Sequence, residues 1–207
     1  MYDMRIYLIR HGETDWNVVG RLQGQTDIPM NQNGEKQLER TGEVLAGLGV
    51  KPDVIIASPL KRTVKSAQIV AGQIGYEKER ILTDPRFLEI DFGMADGTTA
   101  VERQERFPDG KFPGMETSED VCRRAGAALH EYMANYPEQT LMIVSHGGTT
   151  KALIEVATQG RLPYREQRFQ IGNGAIFRLD YIEGMLEGLD QYDFEKEEFV
   201  RVEVCQI

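Results

Sequence analysis

Three largely apolar runs set the frame of the chain. Residues 4–9, 53–57 and 140–144 read as buried strands. Elsewhere the apolar positions change to helical spacing. Residues 31–48 predict a helix capped at Asn31 or Asn33, with Leu38 and Leu45 on its inner face and Gly47 and Gly49 at its end. After the second strand, Ser58 has N-cap chemistry and Pro59 suits a first helical position. Val64, Ala67 and Ala71 then continue at helical spacing, which puts Arg62 in a first turn. Residues 81–83 predict a short edge strand. In 86–93 the acids Glu89 and Asp91 alternate with apolar residues, as along a strand. Thr117 or Ser118 caps a helix to about residue 135, with Val121, Ala125, Ala128 and Leu129 facing inward and Cys122 and His130 as ordinary helix residues. A helix over 150–158 follows the third strand. Residues 175–181 and 199–205 predict further strands, and Glu183-Gly184 reads as a hairpin turn.

No repeat, low-complexity tract or linker interrupts this order, so 1–207 is expected to be one domain. Residues 95–117 hold Arg103, Arg106, Lys111, two prolines and three glycines, and are expected to form a short helix and a mobile lid. The loop 20–27 is long and glycine-punctuated, the kind often used for function. Trp16 at its start is read as an anchor on the core rather than a stacking platform.

Composition narrows the function classes. Hydrophobic residues make up 41% and charged residues 28%, which fits a globular protein. No apolar run approaches the roughly 18 residues of a bilayer span, and the N-terminus lacks the features of a signal peptide, so a cytoplasmic location is expected. Cys122 and Cys205 have no CxxC spacing and read as free thiols; with three histidines, they make a Cys/His zinc site improbable. A net charge of −9 argues against binding to nucleic acid or an anionic membrane. It does not exclude a small anionic substrate, because bulk repulsion is screened beyond about 10 Å.

The candidate chemistry lies where strands end. Arg10, His11 and Gly12 follow the first strand: a guanidinium fork suited to phosphate, an imidazole able to act as nucleophile or base, and a residue that lets a ligand approach the backbone. Arg62 opens a helix after the second strand, and Ser145-His146-Gly147-Gly148 follows the third. Glu89, flanked by Leu88 and Ile90, would be partly desolvated, which favours the protonated form and suits a general acid. Taken singly, each has an ordinary structural reading. In a parallel sheet with right-handed crossovers, however, these ends share one edge. Two arginines, two histidines and one acid on that edge are what phosphoryl transfer to a side chain requires, without a metal if the cations are fixed.

The stretch from Leu8 to Asn17 resembles the signature of the histidine phosphatase superfamily, the phosphoglycerate mutase-like proteins. So do the stretches 20–29, Ser58-Pro59-Leu60-Lys61-Arg62-Thr63, Leu88-Glu89-Ile90-Asp91-Phe92-Gly93 and Ser145-His146-Gly147-Gly148, in family order. The resemblance implies a three-layer α/β fold, a mostly parallel sheet between helices with an insert over the site. It implies that His11 becomes a phosphohistidine and that Arg10, Arg62 and His146 hold the phosphoryl group. Asn17 and the backbone near Gln23 and Gly24 would line the pocket, Gly147 would lend an N–H, and Glu89 would serve the leaving group and then water. No cofactor or metal is implied for hydrolysis, and the partner is a small phosphorylated metabolite.

The chain departs from the family pattern at Met94-Ala95-Asp96-Gly97, where a bulky residue followed by Glu-Gly is usual, and at Met115 and Thr117 within Pro-Gly-Gly-Glu-Ser. These departures bear on the substrate, and a wider pocket at Ala95 is expected. Sugar phosphates, phosphoglycerates, nucleotide-type monoesters and α-ribazole phosphate all stay open, as does a homodimer. The alternatives to a phosphatase are a cofactor-dependent mutase, with Arg103, Arg106 and Lys111 as grips for a second anion, and a catalytically dead phospholigand-binding relative.

Overall fold

A computed structural model describes residues 3–204. The seven-stranded sheet has the order β3-β2-β4-β1-β5-β6-β7. Its first half is parallel: β1 (Met4–Arg10) and β2 (Val54–Ala57) flank β4 (Thr140–Ser145), with β3 (Leu82–Thr83) at the edge. The other half is antiparallel: β5 (Ile176–Ile182), β6 (Met185–Asp193) and β7 (Glu198–Arg201). Between β5 and β6, Glu183 and Gly184 both have positive φ, the geometry of a two-residue hairpin turn. β6 was not anticipated, because Glu187, Gly188 and Asp190 interrupt its apolar pattern. β7 ends at Arg201 and pairs within the chain; Cys205, at the end of the expected strand, lies outside the described residues.

The central strands alternate their side chains between two apolar cores, the consequence of a two-residue period. Ile6, Leu8, Ile56 and Ile143 face α5 (Ser118–Asn135) and α6 (Gly147–Ala157). Tyr7, Ile9, Ile55 and Val144 face α2 (Gln32–Gly47) and α3 (Lys61–Ile74). The molecule is thus a three-layer α/β sandwich. The short helices α1 (Asp15–Val18) and α4 (Ala100–Arg106) complete the set. None of the helices among the described residues is long and apolar enough to cross a membrane.

Caps place two helix starts where the sequence puts them. Asn31 Oδ1 accepts from the Gly34 N–H at 2.8 Å, and Thr117 forms a capping box with Asp120. Two starts differ. α3 begins at Lys61, not at Pro59, and Ser58 is not its cap; the Asp27 carboxylate takes the Lys61 N–H at 2.7 Å instead. α6 begins at Gly147, three residues earlier than expected, because the Gly148 and Thr149 N–H groups find a distant acceptor.

The segment carrying Glu89 is not a strand. Residues Pro85–Phe87 form a 3₁₀ turn and the next six make no ladder. Their carbonyls are gathered by Arg124, which donates to Arg86 O at 2.8 Å, Leu88 O at 2.7 Å and Glu89 O at 3.1 Å. Its guanidinium also pairs in bidentate fashion with Glu116, at 2.7 and 2.8 Å.

Gly12 also serves differently from the expectation. A Cβ there would overlap Met30, the carbonyl of Gly34 and Leu38, so its missing side chain lets the loop seat on the first turn of α2 rather than admit a ligand. Gly34 is the reciprocal half of that contact, against Glu13.

Candidate active site

Register explains why the scattered residues meet. In the adjacent strands β2, β4 and β1, Ala57 pairs with Val144 and Ser145 with Arg10. One residue further on, Ser58, His146 and His11 stand together at the carboxyl edge. The His11 N–H donates to Ser145 O and the Ser58 N–H to Val144 O, each at 3.0 Å. The two imidazoles lie 5.2 Å apart, centroid to centroid.

His11 is 3% exposed, and its Nδ1 lies 2.7 Å from the Gly12 carbonyl. A carbonyl only accepts, so Nδ1 carries the proton and Nε2 holds the free lone pair. Burial holds its pKa well below the ordinary histidine value, and the positive charges of Arg10 and Arg62 add to that. The ring is therefore neutral near pH 7. His146 is depressed in the same way, first by burial and then by Arg62 and His11. Its Nε2 lies 2.8 Å from Ser58 Oγ, while its Nδ1 is buried with no partner among the described residues.

The arginines are held differently. Arg10 Nη1 donates to the Ile171 carbonyl at 2.5 Å, and its buried Nε has no partner among the described residues. Arg62 is completely buried, and that burial pushes its pKa down to about 10. Its Nη2 donates to Gly24 O at 2.7 Å and Nη1 to Thr26 O at 2.8 Å. With the Gln23 amide turned so that its NH₂ meets Thr14, the Gln23 oxygen accepts from Arg62 Nε at 2.8 Å. Residues 23–26 thus form a collar round one cation. Asp96 ties the collar down through the Gly24 N–H at 2.9 Å and Thr26 Oγ1 at 2.6 Å.

Glu89 is 7% exposed in a polar setting rather than an apolar one. Its carboxylate accepts from the N–H groups of Gly148 and Thr149, both at 3.1 Å, and of Ile90 at 2.9 Å. The Thr149 hydroxyl donates to Leu88 O at 2.6 Å, which fixes the acid segment on the first turn of α6.

A cleft of about 620 Å³ is lined by Arg10, His11, Asn17, Gln23, Glu89 and Gly147, among others. Arg62 and His146 are fully buried and, like Gly24, do not line the cleft. Gly24 has its N–H on Asp96 and its carbonyl on Arg62. Ala95, expected to widen the pocket, is buried away from the cleft. Trp16 packs on Gly97, where a Cβ would lie 3.0 Å from its ring. Sequence reasoning missed Asn173, whose amide donates to the His11 carbonyl at 3.0 Å and to Asn17 Oδ1 at 3.3 Å. It also missed Ser58, Lys151, Tyr164 and the 169–172 loop; only the family-like Ser58-Pro59 pair offered a signal. Among the described residues no three His, Cys, Asp or Glu side chains converge to hold a metal ion.

Residues 6–190 match the model of the histidine phosphatase superfamily, branch 1. A relative from Bacillus subtilis named as the uncharacterized phosphatase PhoE is 39% identical over 155 residues, 75% of this chain and 78% of that protein. The probable phosphoglycerate mutase GpmB of Cronobacter sakazakii is 33% identical, covering 86% of this chain and 85% of its own. Among solved structures, the mycobacterial glucosyl-3-phosphoglycerate phosphatase in complex with VO₃ superposes with a TM-score of 0.75. It is 27% identical, over 84% of this chain and 92% of that one. The chain belongs to the histidine phosphatase superfamily, branch 1.

Proposed function

We propose that the protein hydrolyses small phosphomonoesters through a phosphohistidine on His11. The observation that carries this reading is the fixed tautomer of a buried, neutral imidazole whose Nε2 lone pair is free at the edge of a cationic cleft. Nε2 attacks phosphorus in line, a P–N bond forms, and the ester P–O bond breaks. The Gly12 carbonyl, accepting from Nδ1, stabilises the positive charge that the phosphorylated ring acquires. Arg10 and the Gly147 N–H face the charge on the phosphoryl oxygens, Arg62 and His146 support that charge from beside the cleft, and Asn17 and Gln23 complete its lining. The leaving oxygen takes a proton through Glu89, whose carboxylate first accepts it from a monoanionic ester, ROPO₃H⁻. A water then gives a proton back to Glu89 and attacks phosphorus, releasing inorganic phosphate and neutral His11.

The test is to trap radiolabelled phosphate on the protein by acid-free quenching of turnover. Label on wild type and none on His11→Ala supports the intermediate; label that survives the substitution overturns it. A second reading, phosphoryl transfer between positions of one metabolite, is favoured by the similarity to proteins named as probable phosphoglycerate mutases. Strict dependence on added 2,3-bisphosphoglycerate would favour it. The small phosphorylated partner, the cytoplasmic location and a lid formed by residues 95–117 belong to the same proposal.

A further inference from the structure

The basic residues expected to grip a second anion do not reach the cleft. Arg103 donates to the Thr98 carbonyl at 2.6 Å, Arg106 lies over the Phe107 ring, and Lys111 lines a second cavity together with Phe112 and Glu116. Besides Arg10, the cations on the cleft wall are Arg21 and Lys151. Arg21 is spent on the Gly97 carbonyl and on Glu102, which join the entry loop to α4.

Lys151 is different. It stands on α6 one turn beyond Gly147 and three residues after Gly148, on the same helix face. Among the described residues no carboxylate lies within ion-pair distance of its ammonium. That ammonium sits 5.8 Å from the centroid of the Tyr164 ring, which also lines the cleft and flanks Glu89 across Gly148. Its backbone is pinned as well, since the Lys151 carbonyl accepts from Gln167 Nε2 at 2.9 Å. Glu89, the only carboxylate lining the cleft among the described residues, is already occupied by three backbone N–H groups. An unpaired cation held on an aromatic face is a ready partner for an incoming anion.

We infer that Lys151 is a specificity-determining residue that binds a second anionic group, carboxylate or phosphate, on the leaving side of a short phosphomonoester. This rests on the phosphatase reading above, which puts the phosphoryl group at His11. One helical turn, about 6 Å, separates the two sites along α6, so the second anion stands only a few bonds from the ester oxygen.

Two matched substrate pairs test it. 3-Phosphoglycerate and glycerol 3-phosphate differ only by the carboxylate; glucose 1,6-bisphosphate and glucose 6-phosphate differ only by the second phosphate. Wild type is expected to prefer the doubly anionic member of at least one pair about tenfold in kcat/KM, mostly through KM. Lys151→Met is expected to remove that preference and Lys151→Arg to keep most of it; the pair affected says which anion is read. Absence of any preference in wild type, or a preference that survives Lys151→Met, overturns the inference. The same pairs are titrated by calorimetry into His11→Ala and His11→Ala/Lys151→Met chains. That binding comparison reports on Lys151 even if wild type hydrolyses none of the esters, whereas failure to hydrolyse them, or p-nitrophenyl phosphate, counts against the phosphatase reading alone.

Discussion

Glu89 is docked directly on Gly148. The Gly148 N–H donates to one carboxylate oxygen at 3.1 Å, and a Cβ at this position would lie 2.5 Å from the other and 2.8 Å from the Tyr164 hydroxyl. The glycine therefore leaves room for the acid, which helix-forming tendency alone would not demand, since alanine is the better helix former. Gly148→Ala is expected to fold, with a lower urea midpoint because the Gly148 and Thr149 N–H groups lose their acceptor, and to push Glu89 off its seat. Turnover of an alkyl phosphate, whose leaving group needs a proton, should fall about 10- to 100-fold. p-Nitrophenyl phosphate, whose leaving group does not, should be much less affected. An equal loss on both esters would contradict the acid role given to Glu89, and Glu89→Gln should show the same split.

The acid-bearing segment depends on Arg124 for its backbone partners. Its fork satisfies three carbonyls and one carboxylate, and it is 21% exposed against 16% for Glu116. Removing the cation leaves a carboxylate and several carbonyls without their donor, so Arg124→Met should lower stability by about 3–5 kcal/mol. Arg124→Met/Glu116→Met should lose less than the sum of the single variants, because the double change leaves no orphaned charge. Urea denaturation of the four proteins measures this; strict additivity would show that the pair is not coupled.

The residues that carry the strand ends were legible in the sequence for a simple reason. Apolar runs such as 140–144 announce buried strands, and a parallel sheet puts their carboxyl ends on one edge. Arg10, His11, Arg62 and His146 follow from those two facts. Glu89 stands out by its apolar neighbours as well as by the family pattern, but its surroundings differ from those the pattern implies. Alternation of acids with Leu88 and Ile90 has the period of a strand, while the segment in fact lies on the first turn of α6 and on a guanidinium. Contacts of that kind join residues 35 to 60 positions apart and leave no local signature. The same holds for Asn173 on His11 and for the collar round Arg62: hydrogen bonds from side chain to backbone across the fold have no period to read.

Arg62 should be intolerant even of lysine. Its three nitrogens are shared among the carbonyl oxygens of Gly24 and Thr26 and the Gln23 amide, a planar arrangement that an ammonium cannot reproduce. Arg62→Ala is expected to cost about 100-fold or more in kcat, as for loss of a transition-state donor, and Arg62→Lys should recover little of it. Near-normal turnover by either variant, measured on p-nitrophenyl phosphate, would remove Arg62 from the phosphoryl site.

The two buried histidines make stability depend on pH in a defined direction. Burial, with Arg10 and Arg62 close by, holds the folded-state pKa of both His11 and His146 well below the value of about 6.5 expected in the unfolded chain. Below pH 6.5 the unfolded chain takes up protons that the folded chain refuses, so folding stability, complete above that pH, is lost as the pH falls toward the folded values. Two such groups give a slope of up to about 2.7 kcal/mol per pH unit before the carboxylates titrate. Urea unfolding at pH 7.5, 6.5 and 5.5 should show the wild type weakening through this interval, with His11→Gln/His146→Gln much flatter. Because His11 is already neutral at pH 6.5, the acid limb of kcat/KM that reports its protonation should fall below that pH. A wild type whose stability is level across the interval, or a double variant as steep as wild type, would show that the imidazoles are not held neutral by their surroundings, and the free Nε2 lone pair at neutral pH would lose its physical basis.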